Sequence, residues 1–197
     1  MSSKVFTPLG ASNHTGKLRE VNDFYATDPA AAEWLLRIED IPKSVPIWEC
    51  CAGEGHLAEV FKREGYHVRQ SDLIVRAEGV EELDFLSPAN RQIWCGYIIT
   101  NPPYCVALES VAKALSLVPD GMKVMMFLKL TFLEGKQRRQ LYEKYPPKTI
   151  WVSSSRLLCA KNADFAGMKK SGGSAIAYAW YVWEKGYKGD TILKWFN

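Results

Sequence analysis

Apolar positions along this chain fall into two spacings. Short apolar runs at 46–51, 98–100, 123–128, 149–152 and 175–183, together with the mixed segments 66–70 and 80–83, predict strands, several of them buried on both faces. Between them lie stretches with helical spacing. Pro29 follows Asp28, a capping residue type, and Trp34, Leu35 and Ile38 form an apolar face, so a helix is expected to start there. Leu57, Val60 and Phe61 mark a second helix over 56–64, and Leu108, Val111, Ala112, Leu115 and Val118 a third over 106–118. Strands alternating with helices predict an α/β domain with a mostly parallel sheet.

Four strand ends carry chemistry. The run at 46–51 leads into Glu49-Cys50-Cys51-Ala52-Gly53-Glu54-Gly55 and then the second helix. Gly53 and Gly55 can adopt backbone angles that other residues resist, and without side chains they let a ligand approach the main chain. The next strand ends at Ser71-Asp72, and the short segment 80–83 closes on Asp84-Phe85. A carboxylate at such an edge is the acceptor that ribose hydroxyls need. The run Ile98-Ile99-Thr100 stops at Asn101-Pro102-Pro103-Tyr104, because adjacent prolines cannot continue a strand. Two acceptor carbonyls, from the Asn101 side chain and the Pro102 main chain, then stand beside the flat ring of Tyr104. That set suits an amino group on a planar system: accepting both hydrogens favours a pyramidal nitrogen with its lone pair restored.

Asn101-Pro102-Pro103-Tyr104 resembles the catalytic tetrapeptide of the S-adenosylmethionine-dependent amino methyltransferases, whose commonest bearers are adenine-N6 enzymes on DNA. Families acting on guanine N2 in RNA or on protein glutamine share it. Glu49-x-x-x-Gly53-x-Gly55 likewise resembles the cofactor loop of class I methyltransferases. The resemblance implies a single Rossmann-like domain over 23–197, with a seven-stranded, mostly parallel sheet, helices on both faces and an antiparallel last strand. It implies S-adenosyl-L-methionine as cofactor, held by Tyr25 and Thr27 at its methionine end, by Glu49, Ala52, Gly53 and Gly55 in the loop, by Asp72 at the ribose, and by Asp84 and Phe85 at the adenine. Residues 129–139 and 180–196 are similar to the small phage-type adenine methyltransferases.

Composition changes this picture little. In 197 residues, 47% apolar, there is room for one well-buried domain, and residues 1–22 read as a polar, mobile N-terminal arm. A net charge of +3 permits a DNA partner without demanding one. The basic candidates for phosphate contact are Arg138, at the start of the helix after Gly135, and Arg156, Lys161, Lys169 and Lys170 in the loop before the last long strand. Trp180, Trp183 and Trp195 are expected to pack. Five cysteines without a Cys-x-x-Cys pair, and three histidines that do not bracket them, predict neither a metal site nor a disulfide framework. No run of about 18 apolar residues and no basic-then-apolar start point to a membrane span or secretion signal, so a cytoplasmic enzyme is expected. With no separate recognition domain in sight, specificity should be loop-borne or supplied by a partner. The alternatives are an RNA or protein-glutamine methyltransferase and a catalytically silent DNA-binding subunit.

Overall fold

Ile98 and Ile99 are both wholly buried, and they face opposite ways. They belong to β5 (Tyr97–Thr100), near the middle of a sheet covered on both sides. Ile98 packs with Trp48, Val124, Met126 and Leu128 against the third helix, α3 (Ala107–Leu117), and Leu141 of α4 (Lys136–Lys144). Ile99 packs with Ile47, Met125 and Phe127 against α1 (Ala30–Ile38) and α2 (His56–Arg63). Side chains alternating between two apolar layers explain why β5 and its neighbour β6 (Lys123–Lys129) read as unbroken apolar runs. The structure, a computed structural model, describes residues 26–160, 165 and 176–197. The arm over 1–22, Tyr25, Lys161, Lys169 and Lys170 lie outside them.

The remaining strands are β1 (Ala26–Thr27), β2 (Ile47–Glu49), β3 (Val68–Asp72), β4 (Glu81–Glu82), β7 (Thr149–Ser153), β8 (Cys159–Ala160), β9 (Tyr178–Glu184) and β10 (Ile192–Phe196). Eight form one sheet in the order β10-β7-β9-β6-β5-β2-β3-β4, and β1 pairs with β8 apart from it. The expected α/β class is therefore observed, with two differences in detail. Among the described residues the sheet has eight strands rather than seven, and the reversed strand is the penultimate one. β9 runs antiparallel to both β6 and β7, between them. A turn closed by the Tyr187 N–H on the Glu184 carbonyl (3.0 Å) then reverses the chain, and β10 pairs with the far edge of β7, parallel to it. Trp180 and Trp183 are buried as expected, but Trp195 is 63% exposed because it lies on this edge strand.

From β2 the chain winds outward through β3 and β4; from β5 it winds the other way through β6. The crevice beyond the carboxyl ends of β2 and β5 is thus the switch point of the sheet, where ligands of open α/β folds bind. Glu49 ends β2 and Asn101 follows β5.

Candidate active site

A cavity of about 250 Å³ opens at that switch point. One wall comes from the glycine loop. Glu49 is buried at the end of β2, and its Oε2 has no hydrogen-bond partner among the described residues. Burial pushes this carboxyl well above its ordinary range, nearby Asp72 adds to the rise, and an N–H from Ala58 in the first turn of α2 draws it back. Gly53 sits at φ 56° and Gly55 at φ 85°, both in the left-handed region. A Cβ on Gly55 would also come within 2.9 Å of Gln70 Nε2. The Gly53 N–H donates to Asp72 Oδ2 at 2.8 Å, tying the loop to the end of β3. Asp72 Oδ1 accepts from the Ile74 N–H at 3.1 Å and from Arg76 at 3.3 Å. Glu49, Ala52, Gly53 and Asp72 all line the cavity, whereas Gly55 makes the turn into α2 behind it.

Asp84 and Phe85 do not line it. The Asp84 carboxylate accepts the Leu86 N–H at 2.9 Å, closing a turn, and Phe85 is buried edge-on against Trp48 with centroids 5.4 Å apart. Leu86, Leu73 and Arg76 line the cavity instead. For Leu73 and Arg76 the sequence did hold a signal, since both lie in the segment that leaves the strand-end carboxylate Asp72. Leu86 had none, because its exposure to the cavity depends on which way the Asp84 turn points.

The opposite wall is Asn101, Pro102, Pro103 and Tyr104, all of which line the cavity. Asn101 donates through Nδ2 to Thr27 Oγ1 at 2.7 Å and, more weakly, to Cys159 Sγ at 3.7 Å. Its carbonyl, Oδ1, is buried without a partner among the described residues. The Tyr104 hydroxyl donates to Cys159 Sγ at 3.2 Å. Burial holds both the Tyr104 hydroxyl and the Cys159 thiol above their ordinary pKa ranges, so both stay protonated. The Lys129 ammonium stands 4.3 Å from the centroid of the Tyr104 ring. Beyond Tyr104 and Cys105 lies a second hollow of about 640 Å³, walled by Thr131, Phe132 and the first turn of α4. Tyr104 is therefore the partition between two spaces. Thr27 was expected here on sequence grounds; Cys159 was not, being one small residue in a loop.

Arg138 lines the second hollow rather than the first. Its guanidinium donates to the carbonyls of Thr131 (2.9 Å) and Glu134 (2.6 Å) and covers the Phe132 ring, so it braces the turn before α4. Arg156 is exposed beyond β7. Among the described residues no helix is long and apolar enough to cross a membrane, and no group of three or more His, Cys, Asp or Glu side chains could hold a metal ion.

No family model matches the chain, and no curated protein does. Solved structures do match. A protein from Listeria monocytogenes described as a class I S-adenosylmethionine-dependent methyltransferase superposes with a TM-score of 0.58 at 11% identity, over 85% of this chain and 63% of that one. One from Agrobacterium tumefaciens described as an O-methyltransferase gives 0.58 at 15% identity, over 83% and 85%. A modification subunit of a type I restriction enzyme from Vibrio vulnificus gives 0.58 at 10%, over 85% and 45%. The chain thus spans less than two thirds of the first and third of these. What it shares with all three is a fold, the Rossmann-like α/β domain of the class I methyltransferases.

Proposed function

We propose that this chain transfers a methyl group from S-adenosylmethionine to the N6 amino group of adenine in DNA. The observation that carries the reading is the Asn101 amide, whose nitrogen is engaged by Thr27 and whose buried carbonyl oxygen is left open. A buried acceptor without a donor costs about 1–3 kcal/mol, so it is a poor structural element and a good receptor for a substrate N–H. With the Pro102 carbonyl beside it, Asn101 accepts the hydrogens of the target amine and turns the nitrogen lone pair outward. The Tyr104 ring offers the stacking face that a planar heterocycle needs.

The glycine-loop wall fits the cofactor. The unpartnered Glu49 oxygen suits an ammonium group, the Asp72 carboxylate suits ribose hydroxyls, and Gly53 lets a ligand approach the backbone. S-adenosylmethionine supplies a methyl made electrophilic by its sulfonium sulfur. This chain's residues orient the acceptor nitrogen, hold it in line and exclude water, so catalysis comes mainly from positioning. The amine proton leaves after the new bond forms, and no general base is required.

DNA as acceptor is supported by the similarity of residues 129–139 and 180–196 to phage-type adenine methyltransferases and by the restriction-enzyme subunit among the fold neighbours. Adenine within a duplex hides its amine, so the base has to swing out to reach Tyr104. The test is to incubate the purified protein with S-adenosylmethionine and unmethylated genomic DNA, digest to nucleosides and analyse by mass. N6-methyldeoxyadenosine is expected. If the cofactor binds and no methylated deoxynucleoside forms, the DNA reading is wrong, and RNA and protein-glutamine acceptors take its place.

A further inference from the structure

Thr27 and Cys159 are brought together by a two-stranded sheet apart from the main one. Among the described residues β1 and β8 pair Ala26 with Ala160 and Thr27 with Cys159, and a bond from the Asp28 N–H to the Leu158 carbonyl at 2.9 Å extends the ladder. Two strands of this length contribute little stability by themselves. Their effect is placement: both side chains are nearly buried, at 6% and 7% exposure, directly against the Asn101 amide. The Cys159 sulfur is a hub. It accepts from the Tyr104 hydroxyl at 3.2 Å and, more weakly, from Asn101 Nδ2 at 3.7 Å. A large, polarisable sulfur can take several long bonds of this kind, where an oxygen on its shorter bond to Cβ would reach fewer.

Donor and acceptor roles around this hub have a direction. The Tyr104 hydroxyl and the Asn101 amide nitrogen both donate to the sulfur, and the same nitrogen donates to Thr27 Oγ1. The Asn101 amide thus meets Thr27 and Cys159 with its NH2 end. A flipped amide would set its carbonyl against the sulfur lone pairs and aim NH2 hydrogens at the substrate amine, which itself needs acceptors. We infer that Cys159 is a positioning residue: by accepting from the Asn101 amide nitrogen and the Tyr104 hydroxyl, its sulfur fixes the Asn101 carbonyl toward the cavity and the Tyr104 ring beside it. This deepens the amine-methylation reading and rests on it.

The test uses the full chain with Cys159→Ala and Cys159→Ser, measuring cofactor Kd by calorimetry and kcat and KM on the DNA substrate. In Cys159→Ala the Asn101 nitrogen and the Tyr104 hydroxyl lose this acceptor and the flipped amide becomes populated. Turnover is then expected to fall roughly 10–100-fold, the size of loss that small misplacements of reacting groups produce, with cofactor Kd and DNA KM near wild type. Cys159→Ser keeps an acceptor with a shorter reach and should recover part of kcat. In a Thr27→Val background, Cys159→Ala should cost little more, because the two act as one unit. Wild-type kcat in Cys159→Ala, or parallel losses of cofactor binding, melting temperature and kcat that serine does not rescue, would overturn the inference and leave the methyl-transfer reading standing. A wild-type protein that methylates no nitrogen acceptor removes the reading and the inference together, and is recognised from the wild type alone. Should the alanine variant not fold, the infrared S–H stretching band of Cys159, assigned by its loss in Cys159→Ser, carries the test: it should shift in Tyr104→Phe, and an unshifted band overturns the inference.

Discussion

The two walls of the cavity are constructed differently. The Glu49 to Asp72 wall is nearly contiguous, and its cross-tie, Gly53 to Asp72, spans 19 residues. It is shaped by the backbone: two glycines at positive φ, one N–H on one carboxylate, and the first turn of α2 over Glu49. In the Asn101 wall the ties span 74 residues to Thr27 and 58 to Cys159, and they join side chain to side chain. A backbone wall tolerates changes around it as long as the turn can form. A wall of side-chain hydrogen bonds keeps its shape only while every partner is present, so it should lose function before it loses fold.

Mutations on each wall should separate these behaviours, and the largest effect belongs to the acceptor side. Asn101→Ala should cut turnover by about 10²–10³-fold, the loss typical of a polar group aimed at reacting atoms, while calorimetry shows cofactor affinity unchanged. Full activity in that variant would refute the assignment. On the other wall, Gly53→Val should weaken cofactor binding at least about tenfold, since a left-handed conformation costs a residue with a side chain roughly 1–2 kcal/mol. Turnover at saturating cofactor should survive; an equal fall in both would mean the walls are not separable.

Glu49→Gln sharpens the contrast through pH. In the folded chain Glu49 holds its proton more tightly than in the unfolded chain, where its pKa is about 4.3. Its contribution to stability is therefore complete below that value and is lost as pH rises through the elevated native pKa. Melting temperature of Glu49→Gln relative to wild type should climb over that window and then level, even as cofactor binding weakens. A pH-independent difference would show that Glu49 does not titrate there. The smallest effect is expected at Arg138→Ala, whose guanidinium braces two carbonyls: melting should drop by about 2–4 °C, the shift that 1 kcal/mol produces in a chain of this size, with DNA affinity within about twofold. A large loss of DNA affinity would return Arg138 to the nucleic-acid interface.

The same contrast explains what could be read in advance. β5 and β6 announce themselves because both faces are buried, and the glycine loop does so because its conformation is written in adjacent residues. Cys159 was invisible, since a strand of two residues has no periodicity and its partner Thr27 lies in another part of the chain. Asp84 was legible as a strand-end carboxylate, but whether it faces a ligand or its own turn is decided by the Leu86 N–H. Arg138 showed its charge and concealed its partners, which are main-chain carbonyls that no side-chain pattern marks. The segment 192–196 was not among the predicted strands, and only the reversal after β9 makes it an edge strand with Trp195 outward.

The reversed β9 also sets a timetable. It fills the slot between β6 and β7, so as the polypeptide leaves the ribosome both of those strands emerge before the element that must lie between them. Until residue 184 is free, β6 keeps one apolar edge unpaired, and the Tyr178 ring that lies beside Tyr104 has no fixed place. The Glu49 wall can therefore mature on the nascent chain, while the Asn101 wall waits for β9. Premature termination anywhere between β7 and β9 would release a chain with an exposed, aggregation-prone strand rather than one with half a site.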